Sequence, residues 1–332
     1  MPPEPAFLIT IDTEGDNLWA APTTVTTENS NFLPRFQQLC ERYGLLPTWL
    51  TTFEMARCKA YRAFAEDYLH RGTGELGMHL HAWNSPPLDY ELTADDARTH
   101  PYLIEYPEEV MEQKIAYLTD LLKSQFGVRP RSHRAGRWGM DERYARLLAE
   151  SDYLADCSVT PEVSWADSKG DPNGKGGTDY RGFCNRPYRM DLEHIDREDE
   201  YSPLWEVPVT IVRGPGMKFV WAVDRLPFLA RRVSNRLVPP AYWLRPNGRN
   251  LESMLSILGT ALQEDRPCVE FMLHSSELMP GGSPKFASAE SIEKLYADLE
   301  TLFGTAQRRF IGMTLTGFTE GLCSGQRSGR PS

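Results

Sequence analysis

The sequence predicts an α/β fold in which βα units repeat along the chain and form a barrel of seven or eight parallel strands. Seven or eight short apolar runs have the length of buried strands, and most of them are separated by segments with helical periodicity. These runs are spread evenly over the 332 residues. Length alone allows one large barrel or two medium domains, and the even spread favours the barrel.

The first part of the chain begins with an apolar run at residues 7–11, which predicts a strand buried on both faces. The run leads directly into the acidic sequence Asp12-Thr13-Glu14-Gly15-Asp16. Apolar residues at helical spacing, followed by a glycine stop signal, predict a helix at 31–43. A second strand and a second helix are predicted at 45–52 and 57–71.

The middle of the chain contains the sequence 74–83, which predicts a strand that ends at two histidines, His79 and His81. A Pro-rich, acidic loop at 85–106 and an amphipathic helix at 108–126 come next. Further elements are predicted as a strand that runs into a glycine turn at 129–139, a helix at 141–151 and a strand at 153–159.

The last part of the chain opens with residues 164–202, which are rich in Gly, Asp, Asn and Pro and have no clear period. This composition predicts a long loop at the rim of the barrel. Further elements are expected as strands at 204–212, 268–274 and 310–315, with helices at 250–264 and 288–303. We expect a single domain over residues 1–323 and a disordered tail at 324–332.

Composition limits the classes of partner. The formal net charge is −10 and there is no long Lys/Arg run, which argues against nucleic-acid binding. The six cysteines are far apart, with no C-x-x-C pair, which argues against a zinc ribbon or a disulfide scaffold. No apolar run reaches the roughly 18 residues of a membrane span, and the N-terminal residues lack signal-peptide features. We expect a cytoplasmic protein, and the oligomeric state is left open.

Polar residues follow several of the predicted strands, and in a parallel barrel these strand ends meet at one rim. They are Asp12, Glu14, His79, His81, His133, Arg134, Asp156 and His274. Histidines two positions apart on a strand point to one face, so both could bind one divalent metal. A carboxylate from the first strand end would complete three ligands, and Asp12 and Glu14 could divide the roles of base and ligand.

Metal-assisted hydrolysis needs about three protein ligands, an open position for water, a base for that water and an acid for the leaving group. Arg134 would serve as a cation that orients Asp12 and lowers its pKa. The competing structural interpretations are a solvated turn at Asp12 and Glu14 and a core position for His274. The sequence has no G-x-S-x-G elbow and no Gly-rich phosphate loop, so nucleophilic and nucleotide-binding alternatives have little support.

Taken together, these stretches resemble the motifs of the polysaccharide deacetylase family, also called carbohydrate esterase family four, over about residues 7–315. Residues 9–15 look like the first motif, usually T-F-D-D-G, whose first Asp is the base and whose second is a metal ligand. Residues 75–81 are similar to the second motif, a H-[ST]-x-x-H pattern, and 134–139 to the third, which supplies a pocket arginine. Leu273-His274 matches the fifth motif, whose histidine is the general acid. The region of Asp156 and Trp165 is faintly similar to the fourth.

Two departures from the motifs indicate a divergent branch. Thr13 stands where the second Asp of the first motif is expected, so Glu14 or Asp16 would supply the carboxylate ligand. The second histidine of the second motif would fall at Trp83, so His81 would take its place.

The resemblance implies a distorted (β/α) barrel that removes an acetyl group from an N-acetylated sugar in surface-polysaccharide metabolism, with a divalent metal, expected to be zinc, as cofactor. The alternatives are a deformylase or other amide hydrolase on a lipid- or nucleotide-linked sugar, and a catalytically silent saccharide-binding protein on the same barrel. The implied residues are Asp12, Arg134 and His274 for catalysis, Glu14, His79 and His81 for the metal, and Trp83, Trp138 and Asp156 for the carbohydrate.

Overall fold

The structure is a computed structural model that describes residues 4–20, 22–88, 93, 95–216 and 240–324. Its strands are β1 Ala6–Thr13, β2 Pro47–Thr51, β3 Glu75–Leu80, β4 Ser132–Ala135, β5 Ala155–Asp156, β6 Tyr188–Arg189, β7 Trp205–Glu206, β8 Ile211–Arg213, β9 Ala241–Trp243, β10 Cys268–His274 and β11 Ile311–Met313. All of them except β8 and β9 belong to one sheet, and β8 and β9 form a separate antiparallel pair.

The main sheet has the strand order β10-β1-β2-β3-β4-β5-β7-β6, and β11 pairs with the first residues of β1. Each pairing is parallel except that of β6 with β7. Among the described residues, eight strands of this sheet are therefore parallel, which confirms the predicted α/β fold. Isolated backbone hydrogen bonds, from Thr210 N to Glu270 O and from Met272 N to Leu244 O, both 3.2 Å long, join β10 to the segments after β7 and β9. The barrel is distorted here, because these isolated hydrogen bonds stand where a regular barrel would have a continuous pair of strands.

Helices lie between the strands in the six places where the sequence predicts them, and the described residues contain three further helices, at 53–57, 96–99 and 315–323. They are α1 Leu33–Arg42, α2 Phe53–Arg57, α3 Lys59–Arg71, α4 Asp96–Thr99, α5 Glu108–Phe126, α6 Glu142–Glu150, α7 Leu251–Gln263, α8 Ala289–Ala306 and α9 Leu315–Cys323. Short 3-10 helices include Glu28–Phe32, Gly136–Trp138 and Ser275–Leu278. Within the described ranges, no helix combines the length and the apolar character that crossing a bilayer requires.

The alternation of side chains along β1 separates an outer apolar layer from the inside of the barrel. Phe7 packs against Phe303 of α8, with ring centroids 5.9 Å apart. Leu8, one residue later, belongs to a separate buried cluster that includes Leu315 and Phe318 of α9. The inward positions then become polar toward the end of the strand. Near the start of β1, where α9 packs, the inward side chain is the apolar Leu8, and at the end of β1 it is the charged Asp12.

Several predicted boundaries differ from the observed ones. The strand expected at 204–212 is two strands, because Pro208 has no N–H to donate to a sheet; β7 pairs with β5, whereas β8 pairs with β9. The strand expected at 153–159 is shortened to β5. Residues 164–202 contain β6 and the buried side chain of Tyr180. Of the tail expected to be disordered, only Ser324 lies within the described residues, and the extent of the domain stays a prediction.

Candidate metal and catalytic site

Strand register brings the predicted site residues to the carboxyl end of the barrel. Asp12 is paired with His274 across β1 and β10, and His79 with Arg134 across β3 and β4. Beyond the strand ends, a cavity of about 480 Å³ opens at this rim. Seven of the predicted residues line it, namely Asp12, Glu14, His79, His81, Trp83, Trp138 and His274.

Three side chains in this cavity form a candidate metal site: Glu14, His79 and His81. The Nε2 atoms of His79 and His81 are 3.1 Å apart, and Glu14 Oε2 is 3.7 Å from the first and 3.3 Å from the second. A tetrahedral zinc site with bonds of about 2.0–2.1 Å separates its ligand atoms by about 3.4 Å. The three donor atoms are therefore spaced as one divalent ion requires.

The Nε2 atoms of the two histidines face each other, and a hydrogen bond at Nδ1 leaves the Nε2 lone pair of His79 available. His79 Nδ1 donates to the backbone carbonyl oxygen of Arg134 at 2.9 Å, which fixes the tautomer in the way usual for a metal-bound histidine. Burial and the neighbouring His79 lower the pKa of His81 to about 3, so His81 is neutral at pH 7. Burial opposes protonation of His79, but Asp12 and Glu14 outweigh it and raise the pKa of His79. The pocket thus attracts a positive charge between these groups.

Glu14 connects the metal site with the candidate general acid. Its Oε2 atom faces the two metal-site histidines, while its Oε1 atom accepts a hydrogen bond from His274 Nδ1 at 2.6 Å. Burial would raise the pKa of this carboxyl, but His274 and the other histidines lower it well below its ordinary value. Glu14 is consequently ionised and available to both partners.

Asp12 is the second buried carboxylate at the rim. Arg134 donates to its Oδ1 atom at 2.5 Å, while its Oδ2 atom lies 3.9 Å from both His79 Nε2 and His274 Nε2. Burial would raise the pKa of Asp12, but the Arg134 guanidinium and the two histidines lower it instead. One oxygen is therefore held by the arginine, and the other faces the reacting space.

Arg134 itself is fully buried beneath the cavity. Besides Asp12, its guanidinium binds the Glu270 carboxylate, the Thr10 hydroxyl at 2.7 Å and the carbonyl oxygen of Cys157 at 3.0 Å. Four acceptors around one planar cation fix its position. Arg134 is thus placed to orient Asp12 and does not line the cavity.

Two other acids from the sequence analysis face away from the cavity. Asp156 is fully buried; its Oδ1 accepts from His133 Nδ1 at 2.6 Å and its Oδ2 from Ser158 N at 3.0 Å. It does not reach the carbohydrate position expected for it, because both oxygens are used in the barrel interior. Asp16 Oδ2 accepts from the Thr26 hydroxyl at 2.7 Å. Of the two candidate ligands Glu14 and Asp16, only the first faces the histidines.

Aromatic rings form much of the cavity wall. Trp83 lines it and stacks on His81, with centroids 5.8 Å apart, and Trp138 lines it beside Trp165, with centroids 6.4 Å apart. Trp19, which the sequence analysis did not single out, meets His274 edge to face at 5.5 Å. Its position five residues after Glu14 could have signalled this role. Other lining residues missed by the analysis include Tyr102, Ser168, Arg245 and Lys285.

No protein-family model and no curated protein matches the sequence. Solved structures do match. A Mycobacterium smegmatis protein assigned to the polysaccharide deacetylases is 13% identical, with a TM-score of 0.56 over 100% of this chain and 96% of its own. A Parabacteroides distasonis protein assigned as a glycoside hydrolase/deacetylase is 13% identical, with a TM-score of 0.60 over 96% of this chain and 72% of its own.

A third similar structure has a different activity. The 4-α-glucanotransferase of Thermococcus litoralis is 14% identical, with a TM-score of 0.50 over 95% of this chain and 40% of its own. Identities this low establish the fold alone, and the fold implied by the polysaccharide deacetylase resemblance is confirmed. Since a glucanotransferase shares the fold, the chemistry must be argued from the site.

Proposed function

We propose that this chain is a metal-dependent amide hydrolase that removes the acyl group, expected to be acetyl, from an N-acylated sugar in surface-polysaccharide metabolism. One observation carries the proposal. The Glu14, His79 and His81 donor set shares a cavity with a carboxylate and a histidine, Asp12 and His274, that are placed as base and acid.

Glu14, His79 and His81 would hold the ion, and zinc suits this set of nitrogen and oxygen donors. When bound, a divalent ion polarises the amide carbonyl and lowers the pKa of a bound water toward roughly 7. The neutral state of His81 and the hydrogen bond from His79 Nδ1 prepare both imidazoles as ligands.

The protons move through Asp12 and His274. Asp12 is ionised and presents Oδ2 to the cavity, so it takes a proton from water as the water oxygen bonds to the acyl carbon. The carbon–nitrogen bond then breaks, and His274 Nε2 donates a proton to the departing amine. Glu14 Oε1 at His274 Nδ1 stabilises the protonated imidazole before this step. The products are a carboxylic acid and a free amino sugar.

The cavity suits a sugar ring. Its volume of about 480 Å³ lies within the usual range for small-molecule sites. Trp19, Trp83, Trp138 and Trp165 provide apolar faces on its wall. Indole rings of this kind stack on the apolar faces of sugars, so they would hold the ring while the amide lies at the metal site.

Three other functions remain to be separated by experiment. A formyl group could replace acetyl without any change in the residues used. A saccharide-binding protein without activity has no need of a base and an acid, and the paired positions of Asp12 and His274 speak against it. Glycosyl transfer by retention needs a carboxylate free to attack the sugar carbon. Glu14 faces histidines through both oxygens, and Asp12 is bound by Arg134 through one oxygen and lies 3.9 Å from two histidines through the other, so both are poorly suited to that role.

The test compares metal content and acetate release for four proteins. We expect about one equivalent of zinc or another divalent ion in the wild type and in His274→Ala, and none in His79→Ala/His81→Ala. Acetate release from N-acetylated sugars should be lost in both variants. His194→Ala, which changes an exposed histidine of the 164–202 segment, is the matched control and should behave as wild type. Equal metal content in the wild type and the double variant would refute the site.

A further inference from the structure

Three cationic side chains line the same cavity as the candidate metal site: Arg137, Arg245 and Lys285. They come from separate parts of the chain. The first lies in the 3-10 helix Gly136–Trp138, the second follows β9, and the third follows the 3-10 helix Ser275–Leu278. None is needed for the proposed hydrolysis, and a neutral sugar offers no partner for three positive charges.

Glu277 organises two of these cations. Its carboxylate is fully buried, and Oε1 accepts from Arg245 at 3.1 Å and lies 3.3 Å from Lys285 Nζ. The Oε2 atom accepts from the backbone N–H of His274 at 3.0 Å, which ties this group to the catalytic rim. Burial would raise the pKa of Glu277, but Arg245 and Lys285 lower it, so it is ionised.

One carboxylate cannot neutralise both cations. Arg245 is mostly buried, with 15% of its side chain exposed, and its Nε–H has no hydrogen-bond partner among the described residues. Lys285 keeps 37% of its side chain exposed and can turn its ammonium toward the cavity. The pair therefore holds one positive charge in excess and at least one unused donor.

Arg137 adds a second excess charge. It is exposed, and within the described ranges it forms no ion pair. Its backbone has φ 52°, and Trp138 follows with φ 63°, a left-handed conformation that side-chain-bearing residues seldom adopt. Strain of this kind is concentrated at functional sites. Here it belongs to the turn that carries both Arg137 and Trp138 onto the cavity wall.

We propose that the substrate is an acylated amino sugar that carries a phosphate group, with the phosphate bound by Arg245, Lys285 and Arg137. This inference rests on the proposed amide hydrolase function and specifies its substrate class. The two excess positive charges match a phosphate monoester, which carries about −1.5 to −2 at pH 7, or the two charges of a diphosphate link. A single carboxylate would balance only one of them. An arginine fork beside a lysine ammonium is a donor set suited to phosphate oxygens.

The experiment compares kcat/KM for acetate release from matched sugars. The substrates are the neutral methyl glycoside of N-acetylglucosamine, N-acetylglucosamine 1-phosphate, the UDP-linked sugar and the polyprenyl-diphosphate-linked sugar in detergent. We expect the wild type to prefer the phosphorylated sugars by more than about tenfold. The order among the three phosphorylated sugars distinguishes a free, a nucleotide-linked and a lipid-linked substrate.

Variants at the cavity wall test the assignment of the cations. Arg245→Gln, Lys285→Gln and Arg137→Gln should each lower the preference for phosphorylated over neutral sugar about tenfold, and Arg245→Lys should restore part of it. Since Lys285 and Arg137 are exposed, their variants remain informative if Arg245→Gln folds poorly. Arg249→Gln, an exposed arginine on the loop of Arg245, is the matched control and should leave the preference unchanged.

A binding measurement separates this inference from the proposed function. Calorimetry with the UDP-linked sugar is made on wild type, Arg245→Gln and Arg137→Gln. Binding that weakens in both variants supports the phosphate site even if no sugar is hydrolysed, in which case the proposed function fails alone. Equal hydrolysis of neutral and phosphorylated sugars, with no effect of the variants, would overturn the phosphate site and leave the hydrolase. Absence of any binding of the phosphorylated sugars would also overturn it.

Discussion

Replacing Arg134 by methionine should destabilise the protein strongly, because this buried guanidinium serves two buried carboxylates. Arg134, Asp12 and Glu270 expose at most 2% of their surface, and the arginine donates to both acids. Methionine fills similar volume but donates nothing. The variant therefore leaves two carboxylates inside the barrel without the guanidinium that binds both of them.

The magnitude follows from the fate of each acid. Breaking a buried ion pair by removing one partner costs about 3–5 kcal/mol. Burial raises the pKa of Glu270 to about 7 even with Arg134 present, so in the variant this group takes up a proton. Asp12 is ionised in the wild type and in the variant would either stay charged without its hydrogen-bonded arginine or be protonated. We expect a loss of about 4 kcal/mol at pH 7.

Urea unfolding followed by circular dichroism measures this loss of stability. A double-mutant cycle with Glu270→Gln measures how much of it comes from the interaction between Arg134 and Glu270. If the arginine compensates the charge of Glu270, the loss of stability in Arg134→Met/Glu270→Gln should differ by about 1–2 kcal/mol from the sum of the losses in the two single variants. Arg131→Met is the control, since Arg131 forms a half-exposed ion pair with Glu320 at 2.6 Å and should cost less than about 1 kcal/mol. A loss for Arg134→Met no larger than that of the control would refute the reasoning.

Three further changes follow from individual contacts. Glu270→Gln should flatten the pH dependence of the free energy of unfolding. Burial raises the pKa of Glu270 from 4.5 to about 7, so its stabilising effect is complete below pH 4.5 and is lost as the pH rises through about 7. Urea unfolding of the wild type at a series of pH values should show a loss of at most about 3 kcal/mol that the variant lacks. Gly136→Ala should lower metal content, because the new Cβ would lie 2.7 Å from His81 Cδ2, whereas Gly259→Ala in α7 meets nothing within 4 Å and should leave metal content unchanged. Asp141→Ala should cost about 1 kcal/mol in thermal unfolding, since its side chain accepts from the first turn of α6, and an unchanged midpoint would contradict this cap.

Hydrophobic periodicity predicted the barrel because its strands are buried on both faces. The predicted strand at 268–274 coincides with β10, and the run at 7–11 lies inside β1. The rule that polar residues at parallel strand ends share one rim also succeeded for the residues of β1, β3 and β10. Asp12 is paired with His274 and, through Leu50 of β2, is level with Gly77, two residues before His79 on the same face of β3. It failed for Asp156, because in the two-residue β5 this side chain faces His133 inside the barrel.

The cation group at the cavity could not be predicted from the sequence. Arg245 and Lys285 lie in irregular segments, and their common partner Glu277 is 32 residues from the first and 8 from the second. No period or motif signals that such residues meet. Their convergence depends on how β9 and the 3-10 helix after β10 are placed, which is a property of the folded barrel.

The position of Glu14 explains how the altered first motif can still serve the proposed chemistry. It follows the last residue of β1, and its backbone is fixed on both sides: its N–H donates to Ser275 Oγ at 3.0 Å, and its carbonyl oxygen accepts from Asn29 Nδ2 at 2.8 Å. With the backbone held, the glutamate side chain is placed between the histidine pair and His274. The Glu14 carboxylate therefore affects both the affinity for the metal and the protonation of the proposed general acid, His274. Because the two functions share this group, a substitution at Glu14 cannot weaken metal binding without also changing the environment of His274.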